Sequence, residues 1–499
     1  MSINKTTVTS KDIASVSKDE VGNHARKGVK WTVIQVVARN IRSLGTTAVL
    51  SRILSPSDFG LVGMVATLTA LLMAFSDMGL SWATIQRKNI SRIQVSNLFW
   101  LNVGIGAILW SICWLSSPWV ANFYGEQALV AITTALGTGF ILSGLAAQPI
   151  ALLNRKMEYK TIAKIEVFSI TIGALSALTA AISGLGYWAL VIQSLGTGIV
   201  RFILAIPMSR IQITFPRQGF GTLGLLTFGG MLAVSDFLLY AARNLDSVLI
   251  GKYWGTAELG FYNRAYFLMW LPSLLATGIL TNLVVPSLSV LQDDINRFGN
   301  AYRKSLCMVA FIACPMALGL TLTANEMVYL IYGEQWQPVI PMLVWLSIAS
   351  ITEPIYKTTS WLFTAAGKAK TYLLMTFLSG VVLSIVFYLS IPYGALGMSK
   401  SYGITMGLAI VFPALWLAHK SAGLSFLKSI KVLWPIVICL TGMTFTVVGI
   451  EKLTSSWQLS IYSTLAIKVF FGMVSYIAIA NLLMKEMIVN EFYSIIRRR

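Results

Sequence analysis

The chain has 499 residues, of which 56% are hydrophobic and 11% are charged, with a formal net charge of +19 and a mean hydropathy of +0.73. This composition excludes an ordinary soluble domain and predicts an all-α integral membrane protein. A basic soluble chain would suggest nucleic acid. Here most Lys and Arg residues lie in short connections between apolar segments, so we expect no nucleic acid partner.

Apolar segments long enough to cross a bilayer recur along the chain with short breaks. The segments at 220–251 and 335–362 carry enough polar residues to be bent or interrupted. The pattern predicts about fourteen transmembrane helices, at 28–53, 58–85, 93–115, 126–150, 160–183, 185–208, 220–251, 257–285, 300–323, 335–362, 369–391, 394–418, 430–450 and 460–483.

Charge outside these segments predicts the orientation. The first 27 residues are polar and show no signal peptide pattern, so we expect the first helix to act as its own insertion signal. Basic residues gather before helix 1, after helices 2 and 4, and in alternate connections from there on, with Lys252 and Lys452 as the clear exceptions. The positive-inside rule therefore places both termini in the cytoplasm.

Aligning the chain with itself indicates an internal duplication. At an offset of 200 residues, 52–60 matches 252–260, with a cation, an acid and a glycine at equal spacing. At an offset of 205, 89–92 matches 294–297 and 148–150 matches 353–355. Because the period is six helices, the copies should have the same orientation and form two pseudosymmetric six-helix bundles, followed by two extra C-terminal helices.

The duplication predicts how the chain is divided. The regions are a cytoplasmic N-terminal segment at 1–27, a six-helix lobe at 28–208, a cytoplasmic linker at 209–219, a second six-helix lobe at 220–418, helices 13 and 14 within 419–484, and a cytoplasmic tail at 485–499.

Charged side chains inside the predicted helices are the functional signal, because each costs about 2.5–3.5 kcal/mol at the bilayer centre. Arg39 and Arg42 lie three residues apart in helix 1 with no acid one turn away, and Arg243 nearly superimposes on Arg42 in the repeat. A negatively charged cargo is the simplest reason for such cations. The candidate substrate-binding residues are Arg39, Arg42, Arg243, Arg201, Arg264, Lys357 and Lys400.

Intramembrane acids are candidates for binding a coupling ion, H⁺ or Na⁺. They are Asp77, Asp236, Asp246 and Glu353. The alternative is that some of these charges only pair with each other, as Glu353 with Lys357 at i and i+4, or Arg243 with Asp236 and Asp246. A second alternative applies to Arg201, Arg264, Lys400 and Lys468, which could lie near helix ends and snorkel to the interface.

No pattern indicates a cofactor, a metal site or catalysis. The four cysteines lie in apolar helices without CxxC spacing, and neither histidine has a metal-ligand neighbour at helical spacing. No phosphate-binding loop motif is present, so we expect no ATPase activity. Helical glycine pairs such as Gly104 with Gly106 and Gly137 with Gly139 indicate close packing or flexing.

Several motifs resemble those of the multidrug/oligosaccharidyl-lipid/polysaccharide (MOP) flippase superfamily, and most of all its Wzx polysaccharide exporters of the colanic acid type. The motifs are Gly28–Trp31, Leu50–Gly60, Asp77–Leu80 and Leu153–Met157. The resemblance implies two six-helix bundles with a two-helix extension. It also implies a cationic central cavity and a groove of the terminal helices that suits a lipid tail.

For function, the resemblance implies that an undecaprenyl-diphosphate-linked oligosaccharide moves from the cytoplasmic to the periplasmic leaflet of a bacterial inner membrane. The expected partners are this lipid-linked oligosaccharide, membrane lipids, and the polymerase and export machinery for exopolysaccharide. An ion-coupled multidrug or cation antiporter of the same superfamily is one alternative. A membrane polysaccharide polymerase is another, although no connection here is long enough for a catalytic domain.

Overall fold

The computed structural model describes residues 7–8, 43–87, 90–216, 244–457 and 459–484. The chain divides into two compact units, Met1–Gly260 and Phe261–Arg499. The boundary at Gly260 lies beyond the predicted linker and inside a helix. Within the described residues, ten helical segments are long and apolar enough to cross a membrane. The predicted class of all-α membrane protein is therefore confirmed.

The first unit consists almost entirely of helices. Its elements are β1 (Thr7–Val8), α1 (43–53), α2 (Pro56–Asp77), α3 (Leu80–Gln86), β2 (Ile90–Ser91), α4 (Arg92–Tyr124), α5 (Ala128–Arg155), α6 (Tyr159–Ile182), α7 (Trp188–Ser209) and the first turns of α8 (Leu245–Val290). Of predicted helices 1 and 7, only 43–53 and 244–251 belong to the described residues.

The second unit contains the rest of α8 and the remaining helices. They are α9 (Ile295–Leu322), α10 (Ala324–Ile331), α11 (Val339–Ala365), α12 (Ala369–Ser390), α13 (Gly394–Ile404), α14 (Val411–Ser421), α15 (Phe426–Thr454) and α16 (Ile461–Leu483). A π-helical segment, Thr405–Ile410, joins α13 to α14. Helix α11 is a single helix that includes Pro354, so the interruption considered for 335–362 does not occur.

Local sequence explains where several helices begin and end. Ser55 and Asp58 form a capping box at the start of α2, and Ser91 and Gln94 form one at the start of α4. A difference from the prediction lies at the end of α2, where Met78 and Gly79 both have positive φ and separate α2 from α3. The predicted helix at 58–85 is therefore broken, because two successive left-handed residues cannot continue an α-helix.

Close backbone contacts hold the helices of the first unit together. A Cβ added to Gly106 of α4 would lie 2.5 Å from the carbonyl oxygen of Phe140 in α5. Reciprocally, a Cβ on Gly144 of α5 would overlap the carbonyl oxygen of Asn102 in α4. Only glycine permits this approach, which is the packing mode of small residues in membrane helices.

A second reciprocal contact involves positions that the repeat aligns. A Cβ on Gly60 would overlap the carbonyl oxygen of Thr256, and a Cβ on Gly260 would overlap that of Pro56. These four residues all belong to the first unit. Thr256 and Gly260 lie in α8, which continues into the second unit. This helix has a non-helical residue at Gly255, with φ of 83°. The predicted break between helices 7 and 8 is thus a kink at Gly255.

The part of the predicted linker that the structure describes, 209–216, lies against α4. The Ser96 hydroxyl donates to the Thr214 carbonyl at 2.6 Å and accepts from the Thr214 N–H at 2.8 Å. The Trp100 indole N–H donates to the same carbonyl at 2.9 Å. Both backbone groups of Thr214 are therefore satisfied by side chains of α4, which ties the start of the linker to the first unit.

Helices α15 and α16 pack against each other through a small core of Cys439, Met443, Val447, Tyr476 and Ala480. The Tyr476 hydroxyl donates to the Phe311 carbonyl of α9 at 3.0 Å. All four cysteines of the chain are buried and free, as expected for small apolar core residues.

Candidate substrate site

The candidate site lies in the second unit, where α8 and α11 pack side by side. The Ser350 hydroxyl of α11 donates to the Met269 carbonyl of α8 at 2.7 Å. The Trp361 indole N–H of α11 donates to the Thr281 hydroxyl of α8 at 3.2 Å. These two hydrogen bonds fix the rotation of the helices about their axes on both sides of the region between residues 269 and 281.

Lys357 of α11 lies in that region with three groups around its ammonium. Its Nζ is 3.0 Å from Oε1 of Glu353 and 2.8 Å from the Ser273 hydroxyl of α8. It also lies 5.7 Å from the centre of the Trp270 ring. The predicted ion pair of Glu353 and Lys357 therefore exists, and α8 adds a hydroxyl and an aromatic ring to it.

The two members of this pair differ in exposure. The Lys357 side chain is 34% exposed, whereas that of Glu353 is 11% exposed. The second carboxylate oxygen of Glu353, Oε2, is buried and has no hydrogen-bond partner. The carboxylate thus lies behind the ammonium, and the ammonium is the charged group that a ligand can reach.

Lys400 of α13 is a second lysine near an aromatic ring. Its ammonium lies 5.4 Å from the centre of the Trp345 ring in α11, and the residue is exposed. Because an ammonium over an indole face is attracted by the ring quadrupole, Trp345 orients Lys400 without neutralising it.

Arg264 of α8 lies at a different place in the second unit. Its guanidinium is 5.8 Å from the centre of the Phe267 ring, and its backbone carbonyl accepts from the Tyr332 hydroxyl at 3.2 Å. Nothing in these contacts brings Arg264 to Lys357 or Lys400.

Arg201 of α7 is paired inside the first unit. Its guanidinium lies 2.5 Å from a carboxylate oxygen of Glu166 in α6, and the two side chains are 40% and 15% exposed. The bidentate geometry and charge of a guanidinium make it suited to such a pair. The geometry favours an interhelical ion pair over snorkelling for this residue.

The acids of the first unit also have local partners. Asp77 accepts from the N–H and hydroxyl of Ser81 at 3.2 and 2.7 Å and from the Asn102 amide at 3.2 Å. It therefore caps the first turn of α3 and ties it to α4. Asp246 is 2% exposed in the first turn of α8, where its carboxylate accepts from the N–H of Ser247 at 2.7 Å.

Four candidates, Arg39, Arg42, Asp236 and Arg243, lie outside the described residues. They stay predictions from the sequence.

Lys468 does not snorkel. It is buried, and its Nζ lies 2.7 Å from Glu326 of α10 and 3.3 Å from Glu451 of α15. The alternative drawn from the sequence was wrong because α10 places a carboxylate beside α16 inside the protein. A basic residue seven positions into a helix can therefore be fully buried when a carboxylate faces it.

The sequence reasoning missed Glu166, Ser273 and Trp270. Glu166 could have been found, because it is an acid within a predicted transmembrane helix and thus an obvious partner for a nearby Arg. Ser273 and Trp270 carry no such signal, since serine and tryptophan are common in membrane helices.

Comparisons with known proteins identify the family. The polysaccharide biosynthesis protein family matches residues 49–341, which is more than half of the chain. The chain therefore belongs to this family.

Two bacterial relatives are similar over most of their lengths. The lipopolysaccharide biosynthesis protein WzxC of Escherichia coli is 27% identical over 391 residues, covering 77% of each chain. The teichuronic acid biosynthesis protein TuaB of Bacillus subtilis is 25% identical over 346 residues, covering 68% of this chain and 71% of TuaB.

Solved structures show the fold. The inward closed conformation of the lipid II flippase MurJ has a TM-score of 0.72 at 13% identity, covering 91% of this chain and all of MurJ. An inward-facing multidrug resistance transporter of the MATE family, from the MOP superfamily, has a TM-score of 0.62 at 15% identity, covering 76% of this chain and 94% of that protein. The fold is thus the fold that these two transporters share, as expected from the sequence.

Proposed function

We propose that this protein is a flippase that moves a lipid-linked oligosaccharide across the bacterial inner membrane for polysaccharide biosynthesis. Membership of the polysaccharide biosynthesis family carries this proposal. Its relatives are named for lipopolysaccharide and teichuronic acid biosynthesis, and the fold is shared with a flippase of a lipid-linked precursor. The cargo is an anionic oligosaccharide on undecaprenyl diphosphate, which travels from the cytoplasmic to the periplasmic leaflet by alternating access.

Intramembrane cations support an anionic cargo. Lys357 is partly exposed and Lys400 is exposed in transmembrane helices, where contact between an ammonium and lipid is costly. Arg39, Arg42 and Arg243 would add to this positive surface on the argument from the sequence. The lipid tail stays in the bilayer, while the three arginines bind the diphosphate and the two lysines bind the oligosaccharide.

The orientation proposed has both termini in the cytoplasm. Thr7–Val8 pairs with Ile90–Ser91 in a short antiparallel sheet, so the N-terminal segment and the connection after α3 lie on the same side of the membrane. Both segments are flanked by basic residues, which favours the cytoplasmic side.

Glu353 is the strongest candidate for a coupling proton among the described acids. Asp77 is occupied by the cap of α3, whereas Oε2 of Glu353 is buried without a hydrogen-bond partner. Glu353→Gln keeps the size of the side chain and removes the carboxylate that a coupling ion needs. We expect this change to remove the ion dependence of export in vesicles, whereas Asp77→Asn should retain it.

Deleting the gene in its native host tests the proposed function. We expect one lipid-linked oligosaccharide to accumulate at the inner membrane and surface polysaccharide to be lost, with both effects reversed by the intact gene. Export should fail with Arg39→Ala and Arg42→Ala together, and the two Arg→Lys changes serve as the charge-retaining control. Normal lipid-linked intermediates in the deletion strain would refute the function.

A multidrug antiporter is the second candidate, because a MATE transporter shares the fold. That function requires proton-dependent or sodium-dependent efflux of a cationic dye from vesicles that contain the protein. The family match and the exposed lysines favour an anionic cargo instead, so we expect no dye efflux above that of empty vesicles.

A further inference from the structure

Trp270 is an exposed aromatic residue beside a charged group in the second unit. It lies in α8, fourteen positions after Thr256, the first residue beyond the kink at Gly255, and it is 40% exposed. Membrane interfaces often expose tryptophan, but Trp270 lies well inside the helix and only 5.7 Å from an ammonium. A location at the membrane interface therefore does not explain why Trp270 is exposed.

Two of the three N–H groups of the Lys357 ammonium have hydrogen-bond partners among the described residues, and the third is free. An ammonium has three N–H donors. One points to Glu353 and one to Ser273, and no other partner of Lys357 occurs among the described residues. Because the side chain is 34% exposed, the third donor is available to a ligand whose position the other two contacts have already determined.

The cost of a charge in hydrocarbon favours water rather than lipid beside the exposed side of Lys357. A lysine facing hydrocarbon at the centre of a helix would cost far more than one facing an aqueous space. Since the Trp270 ring lies 5.7 Å from the same ammonium, the same argument applies to its exposed part. Exposing the apolar face of an indole to water is unfavourable, so a ligand that covers this face and accepts from the free donor would be stabilised here.

The charge of the group selects among ligands. Glu353 offsets the charge of Lys357, so the group as a whole is close to neutral and suits a diphosphate poorly. A sugar ring suits it well, since one face of a pyranose carries C–H bonds that pack on an aromatic ring. Its rim carries hydroxyl or carboxylate oxygens that accept from an ammonium.

We propose that Trp270 and Lys357 form a saccharide-binding site, where one sugar ring of the cargo stacks on the indole and accepts a hydrogen bond from the ammonium. Glu353 and Ser273 are positioning residues that orient Lys357. The inference rests on the proposed function and deepens it by separating a sugar site from the residues that bind the diphosphate.

Binding measurements on the full-length protein in nanodiscs test the site. The probes are maltotetraose, a tetrasaccharide of alternating glucuronate and N-acetylglucosamine, and undecaprenyl diphosphate without sugar. We expect at least one of the tetrasaccharides to bind, and Trp270→Leu and Lys357→Met each to weaken that binding at least tenfold. Trp270→Phe, which keeps an aromatic ring, should lose less than threefold.

The chain offers a matched control pair. Lys420 lies 5.0 Å from the centre of the Trp416 ring at the end of α14, and, unlike Lys357, it has no acid or hydroxyl partner among the described residues. Trp416→Leu and Lys420→Met should change binding less than twofold. Undecaprenyl diphosphate should bind all variants within twofold of the wild type, which also shows that they are folded.

Three results would overturn the saccharide site. One is the absence of binding of both tetrasaccharides to the wild type at 10 mM, taken as about the weakest affinity of interest. Another is equal loss with the control pair, and the third is a matching loss of undecaprenyl diphosphate. If Trp270→Leu restores normal export in a deletion strain that accumulates lipid-linked oligosaccharide, the site is wrong although the function stands.

Discussion

Replacing Gly106 by alanine is expected to destabilise the first unit, whereas the same change at Gly104 should stabilise it. Both glycines lie in α4, two residues apart. A Cβ on Gly106 would lie 2.5 Å from the Phe140 carbonyl oxygen of α5, whereas a Cβ on Gly104 would meet no atom within 4 Å. Comparing the two variants separates the effect of the contact between α4 and α5 from the effect of helix propensity.

The size of the effect follows from the distances. Ordinary contacts between heavy atoms lie at about 3.5 Å, so Gly106→Ala forces α4 and α5 apart by roughly 1 Å. Overpacking of this kind costs about 1–3 kcal/mol. Alanine gains about 0.5–1 kcal/mol over glycine inside a helix, and Gly104→Ala receives that gain without a cost. The two variants should therefore differ by about 1–3 kcal/mol.

Thermal unfolding of the purified protein in one detergent gives the comparison. The wild type should fall between the two variants, with Gly106→Ala below it. Gly144→Ala should resemble Gly106→Ala, because its Cβ would overlap the Asn102 carbonyl oxygen from the other side. If Gly106→Ala unfolds at or above the temperature of Gly104→Ala, the reasoning about the close approach of α4 and α5 is refuted.

Two further predictions concern ion pairs. Lys468→Ala should lower the unfolding free energy by about 3–5 kcal/mol, because it leaves Glu326 buried without its cation. The control Lys452→Ala, at the exposed end of α15, should change the unfolding free energy by less than about 0.5 kcal/mol. Equal melting temperatures of the two variants would contradict the buried pair. Replacing Arg201 and Glu166 together by Gln should keep export near normal, since the two pair with each other; loss of export at normal protein level would return Arg201 to the substrate-binding candidates.

The positions of the helices were predictable because membrane insertion depends on local hydrophobicity. The segments predicted at 160–183 and 460–483 are observed as Tyr159–Ile182 and Ile461–Leu483. The break after Asp77 was missed, because Met78 and Gly79 resemble ordinary helical residues in an apolar segment. The short helix Ala324–Ile331 was treated as a connection, because it is too short to cross a membrane.

The candidate site was predictable only in part. Glu353 and Lys357 were found because an acid and a base four residues apart in a helix face the same side. Ser273 and Trp270 were not, because they come from another helix and their approach depends on how α8 and α11 are rotated. Hydropathy does not report that rotation, whereas the hydrogen bonds of Ser350 and Trp361 show it directly.

The amino-acid sequence by itself determined that this protein crosses the membrane many times and which charged groups lie within it, because bilayer insertion acts on each segment nearly independently. Only the tertiary structure decided which of those charges are neutralised. Lys468 meets Glu326 across 142 residues, and Arg201 meets Glu166 on a neighbouring helix, whereas Lys357 keeps a donor free beside Trp270. Such pairing depends on the rotation and depth of packed helices, which many side chains set together.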